Sequence, residues 1–235
     1  MDFHFATAWE VISDAIPDKT ALLSGDQTRT WGEYDDRAAR FASVLSEHGL
    51  GPDSKAGIYV HNSNEFLEAQ YAIFKIRGCP VNVNYRYKAD ELIYVLDNAD
   101  AEALIYQACY AARIWEIRKD LPKIKCFIQI DDGTETLRVE GSLDYEQSIR
   151  SSAPMQRISR RRDDIYMLYT GGTTGMPKGV MYYNGEFCQR FCMGFMARGL
   201  AAPEQVGDLA GLVTQVHEQG AAPVSLAACP LMHGT

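Results

Sequence analysis

Residues 169–180 read Tyr-Thr-Gly-Gly-Thr-Thr-Gly-Met-Pro-Lys-Gly-Val, the most informative stretch of the sequence. It lies between two apolar runs rich in β-forming residues, at 165–169 and 179–183. Short runs of this composition on either side of a glycine-rich segment are typical of strands joined by a loop. The sequence therefore predicts that the loop connects two strands.

The residue types in this loop suit a polyphosphate. Its glycines lack a Cβ, so the main chain can adopt positive φ and bring its N–H groups close to an anion. Its threonines add hydroxyl donors, and its lysine adds a mobile positive charge that can follow developing negative charge. The residues predicted to bind a phosphate chain are Thr170, Gly171, Gly172, Thr173, Thr174, Gly175 and Lys178.

Two other readings of the loop fit less well. Gly172 and Lys178 have the spacing of a Walker A loop, but Pro177 and Gly179 stand where that motif has a glycine and a Ser/Thr. The Walker lysine also opens a helix, whereas β-forming residues follow Lys178. A plain glycine-rich surface turn is the structural alternative, but such turns seldom carry three threonines and a lysine between apolar strands.

Upstream of the loop, short apolar runs alternate with helical patterns. The runs begin at Ala56, Cys79, Ala103 and Cys126, at intervals of 23, 24 and 23 residues. Helical spacing of apolar residues lies between them, at 64–77, 89–98 and 110–121. This alternation predicts βα units on a mainly parallel sheet, an α/β fold. The segment 64–77 is apolar on most sides and is predicted to be buried between layers.

The remaining segments are assigned from local signals. A helix that ends at Pro17 is predicted first, followed by a hairpin of strands at 21–24 and 28–31. Thr30 and Glu33 have the spacing of a capping box, and Gly49 can end the helix that they begin. Residues 131–141 are predicted to be a polar surface excursion, 143–150 a short helix, and 151–164 a linker.

Composition limits the class of partner. The net charge is −8, from 23 basic and 31 acidic side chains, which disfavours nucleic-acid binding. Neither a secretory signal nor a run of about 18 apolar residues is evident, so we expect a cytoplasmic protein without a transmembrane segment. A homodimer is compatible with the sequence.

Two clusters of residues are predicted to be structural. Four arginines in the linker are expected to form a solvated face, with a phosphate or CoA contact as the alternative; they are Arg157, Arg160, Arg161 and Arg162. The six cysteines have neither a CxxC pair nor zinc-type spacing, and Cys188 and Cys192, one helical turn apart, are predicted to be reduced and packed.

The stretch TGGTTGMPKGV resembles the phosphate-binding signature of the adenylate-forming superfamily, which includes acyl-CoA synthetases, aryl-CoA ligases, luciferases and peptide-synthetase adenylation domains. Gly171 stands where that family usually has a serine. Residues 30–34, 75–84 and 230–234 resemble three more of its elements, in the family's order. The run 81–87 is most similar to long-chain and steroid-acid acyl-CoA synthetases.

The resemblance implies an enzyme that uses ATP, Mg²⁺ and coenzyme A to activate a carboxylic acid. It implies that residues 170–175 cradle the β- and γ-phosphates, that Thr170 lies near Mg²⁺, and that Lys178 is catalytic and steadies the departing pyrophosphate. It places His233, with Gly234, beside the carboxylate in the acyl pocket. A single histidine near a chain end is otherwise more often an ordinary surface or core residue.

The same resemblance implies the domain organisation. Residues 1–162 are expected to form the first α/β subdomain of a large N-terminal domain, and 163–235 the strand pair of the phosphate loop and the start of a second subdomain. The fold is expected to be incomplete at its C-terminus, without the family's C-terminal lobe, and this chain alone is expected to be inactive. The alternatives left open are a non-catalytic nucleotide-binding module of the same fold and a phosphotransferase that produces ADP.

Overall fold

The computed structural model of the protein describes residues 2–170 and 176–233. The α-helices in these residues are α1 Phe5–Ala15, α2 Trp31–Glu47, α3 Asn64–Lys75, α4 Ala89–Asn98, α5 Ala111–Ile117, α6 Tyr145–Ser151, α7 Asn184–Cys192 and α8 Leu209–Glu218. The strands are β1 Thr20–Ser24, β2 Gln27–Thr30, β3 Lys55–Tyr59, β4 Cys79–Asn82, β5 Ala101–Gln107, β6 Cys126–Ile130, β7 Ser142–Asp144, β8 Ile165–Thr170 and β9 Lys178–Tyr183.

The described strands form a hairpin and one larger sheet. β1 and β2 make the antiparallel hairpin, and the other strands form a sheet in the order β7-β6-β5-β3-β4-β8-β9. Every neighbouring pair in this sheet is parallel except β8 and β9. The predicted α/β fold with a mainly parallel sheet is therefore confirmed.

Helices cover both faces of the sheet. Ile58 points into a core that α1, α2, α3 and α6 share, whereas the next residue, Tyr59, points into a second core beneath α4 and α5. Gly57 lets α4 approach β3 closely, because a Cβ at this position would lie 2.7 Å from Leu96 Cδ2. The central helix α3 is buried along most of its length, as its apolar composition predicts.

The N-terminal predictions hold with one correction. The capping box is present: Glu33 N–H donates to Thr30 Oγ1 at 3.2 Å, and Thr30 N–H donates to Glu33 Oε2 at 2.8 Å. The second hairpin strand does not extend to Trp31, which is the first residue of α2. Because Thr30 is the N-cap, the residue after it must take a helical conformation.

Two further boundaries differ from the sequence prediction. Residues 142–144 form the short strand β7 beside β6, and the helix that follows begins at Tyr145, with Asp144 as its N-cap. The helix α3 ends at Lys75 rather than at residue 77, and Arg77 adopts a φ of 63°. A three-residue strand is too short to show an alternating pattern, so the sequence gives no signal for β7.

The prediction that the linker arginines form a solvated face is wrong for Arg160, whereas Arg161 and Arg162 are exposed as predicted. The Arg160 side chain is 2% exposed and donates to both carboxylate oxygens of Glu10, at 2.7 and 2.8 Å. Arg157 pairs with Asp14 and Asp35. The linker is held against α1 and α2 because carboxylates on those helices bind its guanidinium groups.

Other predictions have mixed outcomes. Cys188 and Cys192 are free and buried, as expected. No helix in the described part of the chain is both long and apolar enough to cross a bilayer. The division of the chain at residue 162 stays a prediction; β8 and β9, on its far side, lie in the same sheet as the earlier strands.

Candidate active site

The phosphate-loop prediction concerns the segment between β8 and β9. Thr170 is the last residue of β8 and Lys178 the first of β9, and the two face each other in the antiparallel register. The Thr170 hydroxyl donates to the Lys178 carbonyl at 3.4 Å. The fold thus brings the first and last residues of the predicted phosphate loop side by side, and confirms that the segment joins two strands.

Both side chains at this position face solvent. Thr170 and Lys178 are exposed, whereas Pro177, the residue before Lys178, is buried. No carboxylate among the described residues forms an ion pair with Lys178. By contrast, four basic side chains elsewhere do pair with carboxylates: Arg29, Arg37, Lys75 and Arg160. Within residues 2–170 and 176–233, no acidic side chain therefore competes with an external anion for the Lys178 ammonium.

The strands beneath the loop are packed tightly. A Cβ on Gly179 would lie 2.9 Å from Met167 Sδ and 3.1 Å from Tyr169 Cε2, so a side chain here would force these two side chains to move. Burial raises the pKa of Tyr169 to about 12, so its hydroxyl stays protonated and donates to Asn98 Oδ1 at 2.7 Å. Lys178 thus begins a strand that pairs with β8 over six residues.

Asn82, at the carboxyl end of β4, joins two parts of the site. It is buried, and its Oδ1 accepts a hydrogen bond from Tyr169 N–H at 2.8 Å. Its Nδ2 donates to the carbonyl of Met232. One side chain therefore contacts both the strand that leads into the loop and the turn that contains His233.

His233 lies in a short 3-10 turn, Leu231–His233, which packs against β8. Asn62, just after β3, holds the segment before this turn: it accepts from Leu231 N–H at 2.7 Å and donates to the carbonyls of Ala227 and Cys229. The imidazole of His233 is exposed. The sheet thus presents His233 at the carboxyl ends of its parallel strands, where α/β proteins commonly bind ligands.

An aromatic cavity opens beside this turn. Its volume is about 300 Å³, and Leu231 contributes to its wall. Two polar side chains in its wall are hydrogen-bonded to each other: Gln70 Nε2 donates to the Tyr166 hydroxyl at 3.1 Å. The other residues that line it are Phe5, Trp9, Phe66, Leu67, Phe74, Phe187 and Phe191.

Several predicted site residues lie outside the described part of the chain. They are Gly171, Gly172, Thr173, Thr174, Gly175 and Gly234. Among the residues that are described, the structure brings Thr170 and Lys178 together and links β8 to the turn of His233 through Asn82.

The described residues offer few ligands for a metal ion. Residues 2–170 and 176–233 contain no group of three His, Cys, Asp or Glu side chains that could hold one. Mg²⁺ commonly keeps several waters and is bound by substrate phosphates plus one or two carboxylates, and a Ser/Thr hydroxyl is one of its protein ligands in P-loop NTPases. The single hydroxyl of Thr170 fits that mode, in which the nucleotide supplies most of the ligands.

Sequence reasoning gave no role to Asn62 or Asn82. Asn82 lies in a stretch that resembles a family element, but that resemblance implies no function for its amide. The available signal is positional: each asparagine ends or follows a strand predicted to be parallel, at the edge where functional groups collect. Their partners in the C-terminal segment, 150 and 169 residues later in the chain, leave no local pattern.

The chain matches the family model described as AMP-binding enzyme over residues 10–234. It is 40% identical over 184 residues to the 3-oxocholest-4-en-26-oate–CoA ligase of Rhodococcus rhodochrous, a match that covers 77% of this chain and 33% of that protein. It is 35% identical over 239 residues to the medium-chain acyl-CoA ligase Mig of Mycobacterium avium, covering 96% of this chain and 43% of that protein.

A solved structure agrees with these matches. The anthranilate CoA ligase AuaEII, determined in complex with anthranoyl-AMP, superposes on 80% of this chain with a TM-score of 0.71 and 25% identity. The match covers 36% of that structure. The chain therefore spans less than half the length of the curated relatives described above.

Proposed function

This chain belongs to the AMP-binding enzyme family, and we propose that it is the part of an acyl-CoA synthetase that binds the triphosphate of ATP. In the proposed reaction, a carboxylate oxygen attacks the α-phosphate of ATP, and pyrophosphate leaves. The sulfur of CoA then attacks the acyl carbon of the acyl-adenylate, and AMP leaves. The adenylate step is needed because a free carboxylate has no adequate leaving group.

One observation carries the proposal: Thr170 and Lys178 face each other at the two ends of the glycine-threonine loop, and both are exposed. A hydroxyl and an ammonium that pairs with no carboxylate of the described residues, at the same position, suit an anionic chain. We propose that Lys178 stabilises the charge that develops on pyrophosphate, and that the side chains and N–H groups of residues 170–175 hold the β- and γ-phosphates.

Magnesium belongs to the proposal as an ion that enters with the nucleotide. Thr170 is the described residue that would contact it, and the ion would neutralise phosphate charge. The work of the protein is then to position the phosphates and to keep water away from the acyl phosphate bond.

The acid is proposed to be apolar, of the fatty or steroid type. His233, with Gly234, would lie beside its carboxylate. The aromatic cavity next to Leu231 would accept apolar carbon, because ten side chains that are mostly aromatic or aliphatic line it.

The cytoplasmic location and the homodimer predicted from the sequence also remain part of this proposal. Size-exclusion chromatography tests the homodimer.

Calorimetric titration of the 235-residue chain with Mg·ATP tests the proposal. Lys178→Ala is expected to weaken ATP binding about tenfold to a hundredfold, because it removes a hydrogen bond between charged groups. Lys119→Ala is the matched control, since Lys119 is an exposed lysine on a distant 3-10 turn. That variant is expected to bind ATP like the unmodified chain.

AMP supplies a second control. It lacks the β- and γ-phosphates, so Lys178→Ala should leave its affinity unchanged. The proposal is refuted if Mg·ATP does not bind, or if Lys178→Ala and Lys119→Ala bind it equally well. A family module that only holds nucleotide would pass this test, and ATP–pyrophosphate exchange with a panel of carboxylic acids is the measurement that separates that alternative.

A further inference from the structure

Two candidate parts of the active site meet at a single buried side chain. The amide of Asn82 accepts from Tyr169 N–H, one residue before Thr170, and donates to the carbonyl of Met232, one residue before His233. Asn82 and Met232 are 7% and 3% exposed, so water cannot easily replace either bond.

The main chain alone does not make this connection. Among the described residues, β4 and β8 are paired in the sheet at one position, where Val81 lies opposite Met167. Two residues further along β8, the Asn82 carboxamide is the acceptor for the Tyr169 N–H, in place of a main-chain carbonyl. A buried N–H group needs such a partner, so a displacement of β8 must displace Asn82 or break the bond.

Asn62 holds the other end of the same segment. Its three hydrogen bonds go to Ala227, Cys229 and Leu231, and none of them involves β8. The chain thus separates two tasks: Asn62 anchors the segment to the sheet, whereas Asn82 links the segment to the strand that leads into the phosphate loop.

We propose that Asn82 is a positioning residue that couples the occupancy of the phosphate loop to the placement of His233. This inference rests on the proposed function, because it takes the loop to bind Mg·ATP. When phosphate binding shifts the end of β8, the Asn82 amide transmits the shift to the main chain of Met232. The acid's carboxylate site and the triphosphate site are thereby aligned by one side chain.

Methyl NMR of the 235-residue chain labelled with ¹³C-methyl methionine tests the proposal, with Mg·ATP as the probe. Met176 lies beside the loop and reports binding, whereas the buried Met232 reports the turn. In the unmodified chain both signals are expected to move. In Asn82→Ala, the Met176 signal still moves and the Met232 response is lost.

A second variant separates coupling from simple loss of packing. Asn82→Asp keeps an oxygen that can accept from Tyr169 N–H but loses the donor to the Met232 carbonyl. Hydrogen exchange at the Tyr169 amide is therefore expected to rise about fivefold in Asn82→Ala but not in Asn82→Asp. Both variants are expected to lose the Met232 response, whereas Asn62→Ala is expected to keep it.

The outcomes distinguish this inference from the proposed function. If Met176 does not respond in the unmodified chain, the phosphate-loop assignment fails. If Met176 responds but Met232 does not, or if Met232 responds equally in Asn82→Ala or Asn82→Asp, the coupling role of Asn82 is wrong and the proposed function stands. Because the unmodified chain alone can refute the inference, a poorly folded variant does not protect it.

Discussion

Arg160→Ala is expected to destabilise the fold by about 3 kcal/mol, whereas Arg161→Ala is expected to leave the free energy of unfolding nearly unchanged. The two arginines are neighbours in sequence and undergo the same chemical change. Their side chains differ in exposure, at 2% for Arg160 and 66% for Arg161. The pair therefore isolates the effect of burial on an ion pair.

The magnitude follows from the contacts of each side chain. Arg160 donates two hydrogen bonds to the buried Glu10, at 2.7 and 2.8 Å, and each bond to a charged group contributes about 1.5–3 kcal/mol. Glu10 keeps Lys75 as a partner at 2.9 Å after the substitution, so its charge is not left alone and the lower end of the summed range applies. Arg161 pairs only with the exposed Asp163 among the carboxylates of the described residues.

Urea unfolding at neutral pH, followed by tryptophan fluorescence, measures both variants. Trp9 adjoins Glu10 in α1 and reports the region directly. The urea concentration at the unfolding midpoint should fall in Arg160→Ala, while the slope of the free energy of unfolding against urea stays unchanged. In Arg161→Ala, the midpoint should stay near that of the unmodified chain. If the two variants unfold within about 1 kcal/mol of each other, burial does not strengthen this pair and the argument from exposure fails.

Two further predictions concern other parts of the fold. Burial, with the nearby Arg160 and Arg77, lowers the pKa of His4 from 6.5 to about 3, so the unfolded state binds a proton first and stability is lost as pH falls from 6.5 toward 3. His4→Asn keeps an acceptor for the Ala6 N–H and should flatten this part of the pH profile measured by urea unfolding; an equally steep profile would contradict it. Gly57→Ala should lower the free energy of unfolding by about 1–3 kcal/mol, because the new methyl group would meet Leu96 at 2.7 Å. Gly51→Ala, where a Cβ meets nothing within 4 Å, is its control in thermal unfolding, and equal midpoints would refute the packing argument.

Local signals predicted most of the fold. The capping box at Thr30 and the glycine after α2 each depend on residues a few positions apart, and the structure contains both. The four regularly spaced apolar runs are the strands β3, β4, β5 and β6. The strand pair on either side of the phosphate loop was predicted in the same way. The strand β7 was missed because three residues cannot display a period.

Long-range polar contacts could not be predicted from the sequence. Arg160 looks like part of a solvated basic run until the fold places Glu10, 150 positions away, against it. His4, at the start of α1, gives no sign that Asp164 lies 3.6 Å from its Nε2. That carboxylate is held by Arg77 and by the Arg161 amide, so it does not compensate for the burial of the imidazole.

The position of Asn82 connects the fold to the proposed chemistry. In a parallel sheet, a crevice forms where neighbouring strands stop pairing, and ligands bind beyond the carboxyl ends of the strands. Here the recorded pairing of β4 with β8 is at Val81, and a side-chain amide makes the next bond to β8. A displacement of β8 at this point therefore acts on the buried Asn82 side chain, which has a second bond that reaches the turn of His233. The place where the sheet opens is therefore also the place where a movement of the phosphate loop can reach the proposed carboxylate site.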